Sequence, residues 1–348
     1  MRLRAPVELF AFLYFASYLP YAAIVRYLAT LQHPALGRSL NGLEILPATV
    51  ILSAVLTIPF VWLSGWSRSA HHFRIFGMSL PCPTGWTTAS GIGAALLLFT
   101  VPLSFTFQGV SIPFMQLLMR GDVLIIAPLV DMVTGRRVRW YSWVALVLVS
   151  AGLALTIGMR GGLYLPPLAI LTVVLYTVGY FVRLAIMTRI GKNGDPATVQ
   201  AYFVEEKIVA FPVATAALAA LSVLEFGTQS GQLRFGFLAV WLSDQLGWIM
   251  VLSVLLVLVS IFSILILLDV RENTFCVPIE RSASVLAGIA AAYVLAHLGI
   301  GKPPTAAEGA GAGLLILAIF VLSLGPRLGT HHAAGNFQQV QGTPETKG

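Results

Sequence analysis

Gln116, Arg120, Asp122, Glu205, Glu206, Lys207, Glu280 and Arg281 are polar or ionisable side chains that fall inside long apolar runs. Groups of these types, held at depth in hydrocarbon, can pair with one another, bind a charged solute or exchange protons. An ionisable group there costs at least about 2.5–3.5 kcal/mol, so each is expected to face a helix-bundle interior or a watered cavity. Arg120 lies four residues after Gln116 and shares its helix face, whereas Asp122, two residues on, does not and must find its partner on another helix. A guanidinium suits carboxylate or phosphate because its fork donates two parallel hydrogen bonds. Arg120, Arg281, Gln116 and Lys207 are therefore candidate binding residues, and Asp122, Glu205, Glu206 and Glu280 candidate proton carriers or counter-charges. The plainer reading, that the charges only neutralise one another as ion pairs between helices, stays open.

Other chemistries find little support. No Gly-rich phosphate loop is present, so nucleotide hydrolysis is not expected. His33, His71, His72, His297, His331 and His332 fall in predicted loops, in the tail or at a span end. No Ser–His pair or metal-ligand set can be assembled at depth from them. Cys82 and Cys276 offer neither a disulfide framework nor metal spacing and read as free thiols. The expectation is a chain without metal or cofactor that is not an enzyme. An intramembrane transferase and a structural or sensor protein are the competing classes.

The elements that must position these groups are membrane spans. Of 348 residues, 57% are hydrophobic and only 10% charged, against about a quarter charged in soluble domains. Ten stretches reach spanning length: Val7–Leu28, Leu43–Ser64, Trp86–Phe105, Val110–Val130, Trp140–Gly158, Tyr164–Met187, Val199–Leu224, Leu246–Leu268, Phe275–Leu298 and Ala307–Leu324. The first continues past signal-peptide length and lacks a small-x-small cleavage site, so it reads as a span. With the N-terminus inside, one set of loops and termini holds Arg2, Arg4, Arg68, Arg74, Arg136, Arg137, Arg139, Arg189, Lys192, Arg271, Arg327 and Lys347. The other holds only Arg38, Arg160, Arg234 and Lys302. That asymmetry predicts both termini cytoplasmic. Dispersal of the +7 net charge over loops argues against nucleic acid as a partner.

Arg26 and Arg183 lie within about a turn of a span end, where long stems can snorkel to the interface. Rise along the helix puts Glu205–Lys207 and Glu280–Arg281 roughly 10 Å below the cytoplasmic surface and Arg120 about 16 Å down, so these groups can meet in one inward-facing vestibule. Pro113, Pro128, Pro212 and Pro278 interrupt the spans, freeing backbone groups that only protein or a watered cavity can satisfy.

A faint internal repeat relates Gly135-Arg-Arg-Val-Arg, with the span ending in Ser150-Ala-Gly-Leu, to Gly301-Lys-Pro-Pro-Thr and Gly311-Ala-Gly-Leu. Each follows a span with a deep Arg. The division predicted is 1–158 and 159–326, two five-helix halves inverted in the membrane, followed by a disordered polar tail over 327–348.

In topology most of the chain resembles the drug/metabolite transporter superfamily, EamA-like ten-span carriers built from two inverted five-helix repeats. SIPFMQLLMRGDVLIIAPL is similar to the fourth span of the nucleotide-sugar and triose-phosphate carrier branch, with Arg120 on its basic position. VPIERSASVLAGIAAAYVL is similar to that branch's ninth span, where Arg281 matches the Arg of a Lys-Arg pair and Glu280 departs from the Lys. The resemblance implies an all-α polytopic fold and a secondary active transporter, antiporter or proton-coupled, for a polar and anionic metabolite. The superfamily's bacterial exporter branch, for amino-acid or drug-like metabolites, is the alternative. The partners expected are a small-molecule solute and the lipid bilayer, with a homodimer as a further expectation. Few Lys beside abundant Arg, short loops and the lack of an N-x-Ser/Thr sequon point to a bacterial inner membrane.

Overall fold

The computed structural model describes residues 7–33, 36–75, 78–107, 110–121, 140–159, 165–191, 195–224, 227–269, 273–300 and 303–340. Its helices are α1 (Val7–Thr30), α2 (Gly42–Leu63), α3 (Gly85–Ser104), a segment over 112–121 called α4, α5 (Trp140–Met159), α6 (Pro167–Ile190), α7 (Pro196–Val223), α8 (Thr228–Leu238), α9 (Leu246–Leu267), α10 (Asn273–His297) and α11 (Ala306–Val340). Among the described residues seven of them, α1, α2, α3, α6, α7, α9 and α10, are long and apolar enough to cross a membrane. The apolar parts of α5 and α11, Trp143–Met159 and Ala306–Val321, are shorter. The chain is a multi-pass, essentially all-α membrane protein.

Local sequence explains the helix starts. Asn41 caps α2 as half of a capping box: its side chain accepts from Leu43 N at 3.2 Å, and Glu44 reaches back to Asn41 N at 2.8 Å. Asp195 accepts from Ala197 N at 3.1 Å just before Pro196, a residue whose missing N–H costs nothing in a first turn. Glu44 also takes a two-pronged ion pair from Arg38, at 2.7 and 2.8 Å. That bonding pushes the Arg38 guanidinium pKa up, more than burial pulls it down.

Packing is set by small residues and by apolar faces. α1 lies against α9 and α10, α3 against α6 and α7, α5 against α11, and α2 against α8 and α9. At the α3–α6 crossing a Cβ on Gly179 would stand 2.7 Å from the Gly93 carbonyl oxygen, and one on Gly93 would stand 2.8 Å from the Gly179 oxygen. Only glycine lets the backbones approach this closely, as membrane helices do where no hydrophobic drive pulls them together. Outward faces carry exposed Phe12, Val147, Val174 and Phe320, as contact with lipid requires.

Three features depart from the sequence reading. Between α2 and α3 the chain forms strands β1 (His72–Ile75) and β2 (Met78–Pro81), paired antiparallel, where only a loop was expected. The segment between α7 and α9 holds α8, packed on α2 and α7. Helix α11 runs on to Val340, so the residues of 327–348 up to 340, read as a disordered tail, are helical.

Candidate functional site

α1 presents Tyr14, Tyr18 and Tyr21 on one face, spaced i, i+4, i+7, and α6 presents Tyr176, Tyr180 and Arg183 with the same spacing. All six side chains are buried and together they wall an internal cavity of about 70 Å³. Arg120 from α4, Lys207 from α7, Ser260 and Ser263 from α9 and Glu280 from α10 complete the polar lining. A volume of this size holds a few waters or one compact polar group, far below the roughly 300–1,000 Å³ of sites for drug-sized ligands.

Arg120 is 3% exposed, and its hydrogen-bond partners among the described residues are all neutral. Its Nε donates to Gln116 Oε1 at 3.1 Å, its Nη2 to Tyr18 Oη at 2.9 Å and its Nη1 to the Tyr176 hydroxyl. The guanidinium also lies over the rings of Tyr18, 5.7 Å from the centroid, and Tyr176, at 5.2 Å. Gln116 is fixed in turn by donating to Tyr18 Oη at 3.1 Å. The shared face of Gln116 and Arg120 expected from their spacing is present.

Arg281 reaches the same place from α10. Its Nη1 donates to Tyr176 Oη at 2.5 Å, and its guanidinium stacks 3.7 Å from the Tyr180 ring centroid. Unlike Arg120 it does not line the cavity but stands behind the tyrosine wall. Its Nε lies 3.4 Å from Glu280 Oε2. The other oxygen of Glu280 accepts from Ser263 at 3.0 Å.

Glu205 and Glu206, adjacent in sequence, serve different places. Glu206 accepts from Arg183 Nε at 2.8 Å, Arg183 Nη2 at 3.2 Å and Ser90 at 3.2 Å, with Lys207 Nζ 3.5 Å away. Arg183 is therefore a buried ion-pair partner and not the snorkelling side chain its position near the span end suggested; it turns inward because a carboxylate waits on α7. Glu205 faces away from the cavity. It accepts from His71 N at 3.0 Å, His71 Nδ1 at 2.7 Å and Thr87 Oγ1 at 2.9 Å, tying the segment before β1 to α7. Arg26 donates to the carbonyls of Phe105 and Phe107 at 3.2 and 2.8 Å, satisfying the end of α3.

Of the residues singled out from sequence, Arg120, Lys207 and Glu280 meet on the cavity, and Gln116 and Arg281 support it. Glu206 sits one ion pair away, Glu205 belongs to the His71 contact, and Asp122 lies outside the described residues. The tyrosines escaped sequence reading, although Tyr-x-x-x-Tyr-x-x-Tyr over 14–21 and Tyr-x-x-x-Tyr over 176–180 are helical-face signatures that could have exposed them.

No protein-family model matches the chain, and no curated protein matches it. A solved structure described only as "Crystal structure of protein" is similar, with a TM-score of 0.52 at 14% identity over 92% of this chain and 98% of that one. At this identity the likeness concerns the fold alone.

Proposed function

We propose that this protein is a secondary active transporter of the drug/metabolite type, and that the tyrosine-walled cavity binds the anionic group of a small metabolite. One observation carries the reading: Arg120 is a buried guanidinium on an internal cavity, and its hydrogen-bond partners among the described residues are neutral. Around it, Arg183, Lys207 and Arg281 share two carboxylates, Glu206 and Glu280. Among the described residues, the cavity and its immediate ion-pair partners thus hold four cations, Arg120, Arg183, Lys207 and Arg281, against the carboxylates Glu206 and Glu280, and a charge buried without a counter-ion costs several kcal/mol. An anion entering the cavity offsets that cost.

Ten spans in two inverted halves are part of the proposal. Supporting it, exchange of α1, α2, α3, α4 and α5 with α6, α7, α9, α10 and α11 carries the α1–α9 packing into α6–α3 and α3–α7 into α9–α2. The same exchange leaves α5–α11 and α2–α7 unchanged. The paired helices α1 and α6 also share the i, i+4, i+7 spacing of Tyr14, Tyr18, Tyr21 and Tyr176, Tyr180, Arg183, and the paired α4 and α10 each carry a buried Arg, Arg120 and Arg281. A site at the junction of two inverted halves suits alternating access by rocking of one against the other. The excess of Lys and Arg in alternate loops supports cytoplasmic termini, and few Lys beside abundant Arg with no N-x-Ser/Thr sequon support a bacterial inner membrane.

Counterflow in proteoliposomes tests the function. Preloaded unlabelled carboxylates or phosphate esters should drive uptake of the labelled compound, and Arg120→Lys should weaken the effect. Chemical consumption of the label would instead mark an enzyme, and neither result a scaffold.

A further inference from the structure

Among the described residues, the candidate carboxylates Glu205, Glu206 and Glu280 differ in how fully their oxygens are occupied. Both oxygens of Glu206 accept hydrogen bonds, from the Arg183 fork and Ser90. Both oxygens of Glu205 do as well, from His71 and from Thr87 and Thr84. Glu280 is 3% exposed, and one oxygen is held by Ser263. The other, Oε2, has no hydrogen bond among the described residues although the side chain lines the cavity. Its near neighbour Arg281 Nε, at 3.4 Å, makes an ion pair without a hydrogen bond.

We propose that Glu280 is the proton-binding residue of this carrier, taking up one proton at Oε2 for each anion bound so that anion and proton cross together. The inference rests on the reading of the cavity as an anion site. The chemistry is a reversible protonation: an O–H bond forms at Oε2 with a proton from water on one side of the membrane and breaks on the other. Nothing is oxidised or reduced.

The groups facing Glu280 make the two events depend on one another. Tyr14 of α1, Arg120 of α4, Tyr180 and Arg183 of α6 and Ser263 of α9 line the cavity together with the carboxyl, Ser263 donating to it, and Arg281 flanks it on α10. Lys207 of α7 lines the same cavity. Arg120 and Glu280 line the same cavity, so an ionised Glu280 is a negative charge on the space that an anion bound by Arg120 would enter. An incoming anion meets that carboxylate as a like charge; once Glu280 is protonated, the repulsion is gone and the guanidinium is free for the anion. A bound anion favours the proton by the same factor, since coupling between two sites is reciprocal. Glu205 and Glu206, candidate carriers from sequence alongside Glu280, lack this arrangement, because a proton on either displaces a donor already in place.

The test measures anion binding against pH by thermal shift on purified full-length protein. Sulfate and oxalate are the probes because their charge stays constant between about pH 5.5 and 8.5. In the wild type, affinity for both should fall as pH rises, approaching about tenfold per unit. Glu280→Gln, the neutral isostere that keeps an acceptor for Ser263, should bind at the wild type's acid-end affinity with no slope. Ser263→Ala keeps the carboxyl and removes a donor to its ionised form, so the curve should move to higher pH with its slope intact, which decides the matter should Glu280→Gln fail to fold. Anion binding that needs Arg120 but keeps the wild-type slope in Glu280→Gln, or a Ser263→Ala curve that does not move, overturns the proton site and leaves the anion site standing. If neither anion binds at any pH in any variant, the anion site falls and the coupling with it.

Discussion

Arg120 and Arg281, from α4 and α10, donate to the same hydroxyl, that of Tyr176 on α6. Two guanidiniums converge on one neutral oxygen because each also lies over tyrosine rings, which attract a cation without contributing a counter-charge. Tyr176→Phe keeps the rings and removes the shared acceptor. A hydrogen bond to a charged group contributes about 1.5–3 kcal/mol, so the variant should lose several kcal/mol, read as a clear drop in thermal midpoint in detergent.

Arg120 lines the cavity and Arg281 stands behind it, and their Lys variants should differ accordingly. Arg120→Lys should weaken anion binding at least tenfold, or about 1.4 kcal/mol, because Lys cannot reproduce the fork. Arg281→Lys should weaken it less, acting through the position of Tyr176. The double variant should lose less than the two combined, since both act on one hydroxyl. Titration of the four proteins with a labelled anion checks this, and strict additivity would separate the two residues.

Glu206→Gln and Glu205→Gln, one position apart, should have unequal effects on stability. Removing the Glu206 charge leaves Arg183 and Lys207 buried without their carboxylate, at a cost of about 3–5 kcal/mol. Glu205 answers to peptide N–H groups, a threonine hydroxyl and a His71 side chain that is 69% exposed. Its amide variant should melt closer to wild type, while hydrogen exchange in residues 66–81 rises as their tether to α7 loosens. Equal losses in thermal midpoint would contradict the assignment.

Gly179→Val should separate α3 from α6, since its Cβ alone would meet Gly93 O at 2.7 Å. Overpacking of this kind costs about 1–3 kcal/mol. The α3 and α6 walls also carry the cavity, so anion affinity should fall together with the thermal midpoint; a variant as stable as wild type would mean the crossing opens easily.

Opposite ends of the bundle should label from opposite sides of the membrane. In a background with Cys82 and Cys276 replaced by Ser, Arg74→Cys should react with an impermeant thiol reagent only from the cytoplasmic side. Gln229→Cys should react only from the other. Both sites are exposed. Labelling of the two from one side would refute the span order.

Composition and the length of the apolar runs were enough to establish a multi-pass helical protein, because bilayer thickness and the need to satisfy every backbone group leave few other solutions. The spacing of Gln116 and Arg120 likewise determined a shared face, since helical geometry is local. Tertiary structure decided which charges face one another. Glu205 and Glu206 are neighbours in sequence, yet successive helix positions point about 100° apart, so one meets His71 and the other Arg183. Arg183 read as a span-end residue until α7 supplied its carboxylate. The β1–β2 pair and α8 were not legible because their short segments carry too few apolar residues for a periodic signal. The cavity was least legible of all: Tyr14, Tyr18 and Tyr21 become polar lining only where α6 brings Tyr176 and Tyr180 across from them, and no local pattern specifies which helix stands opposite.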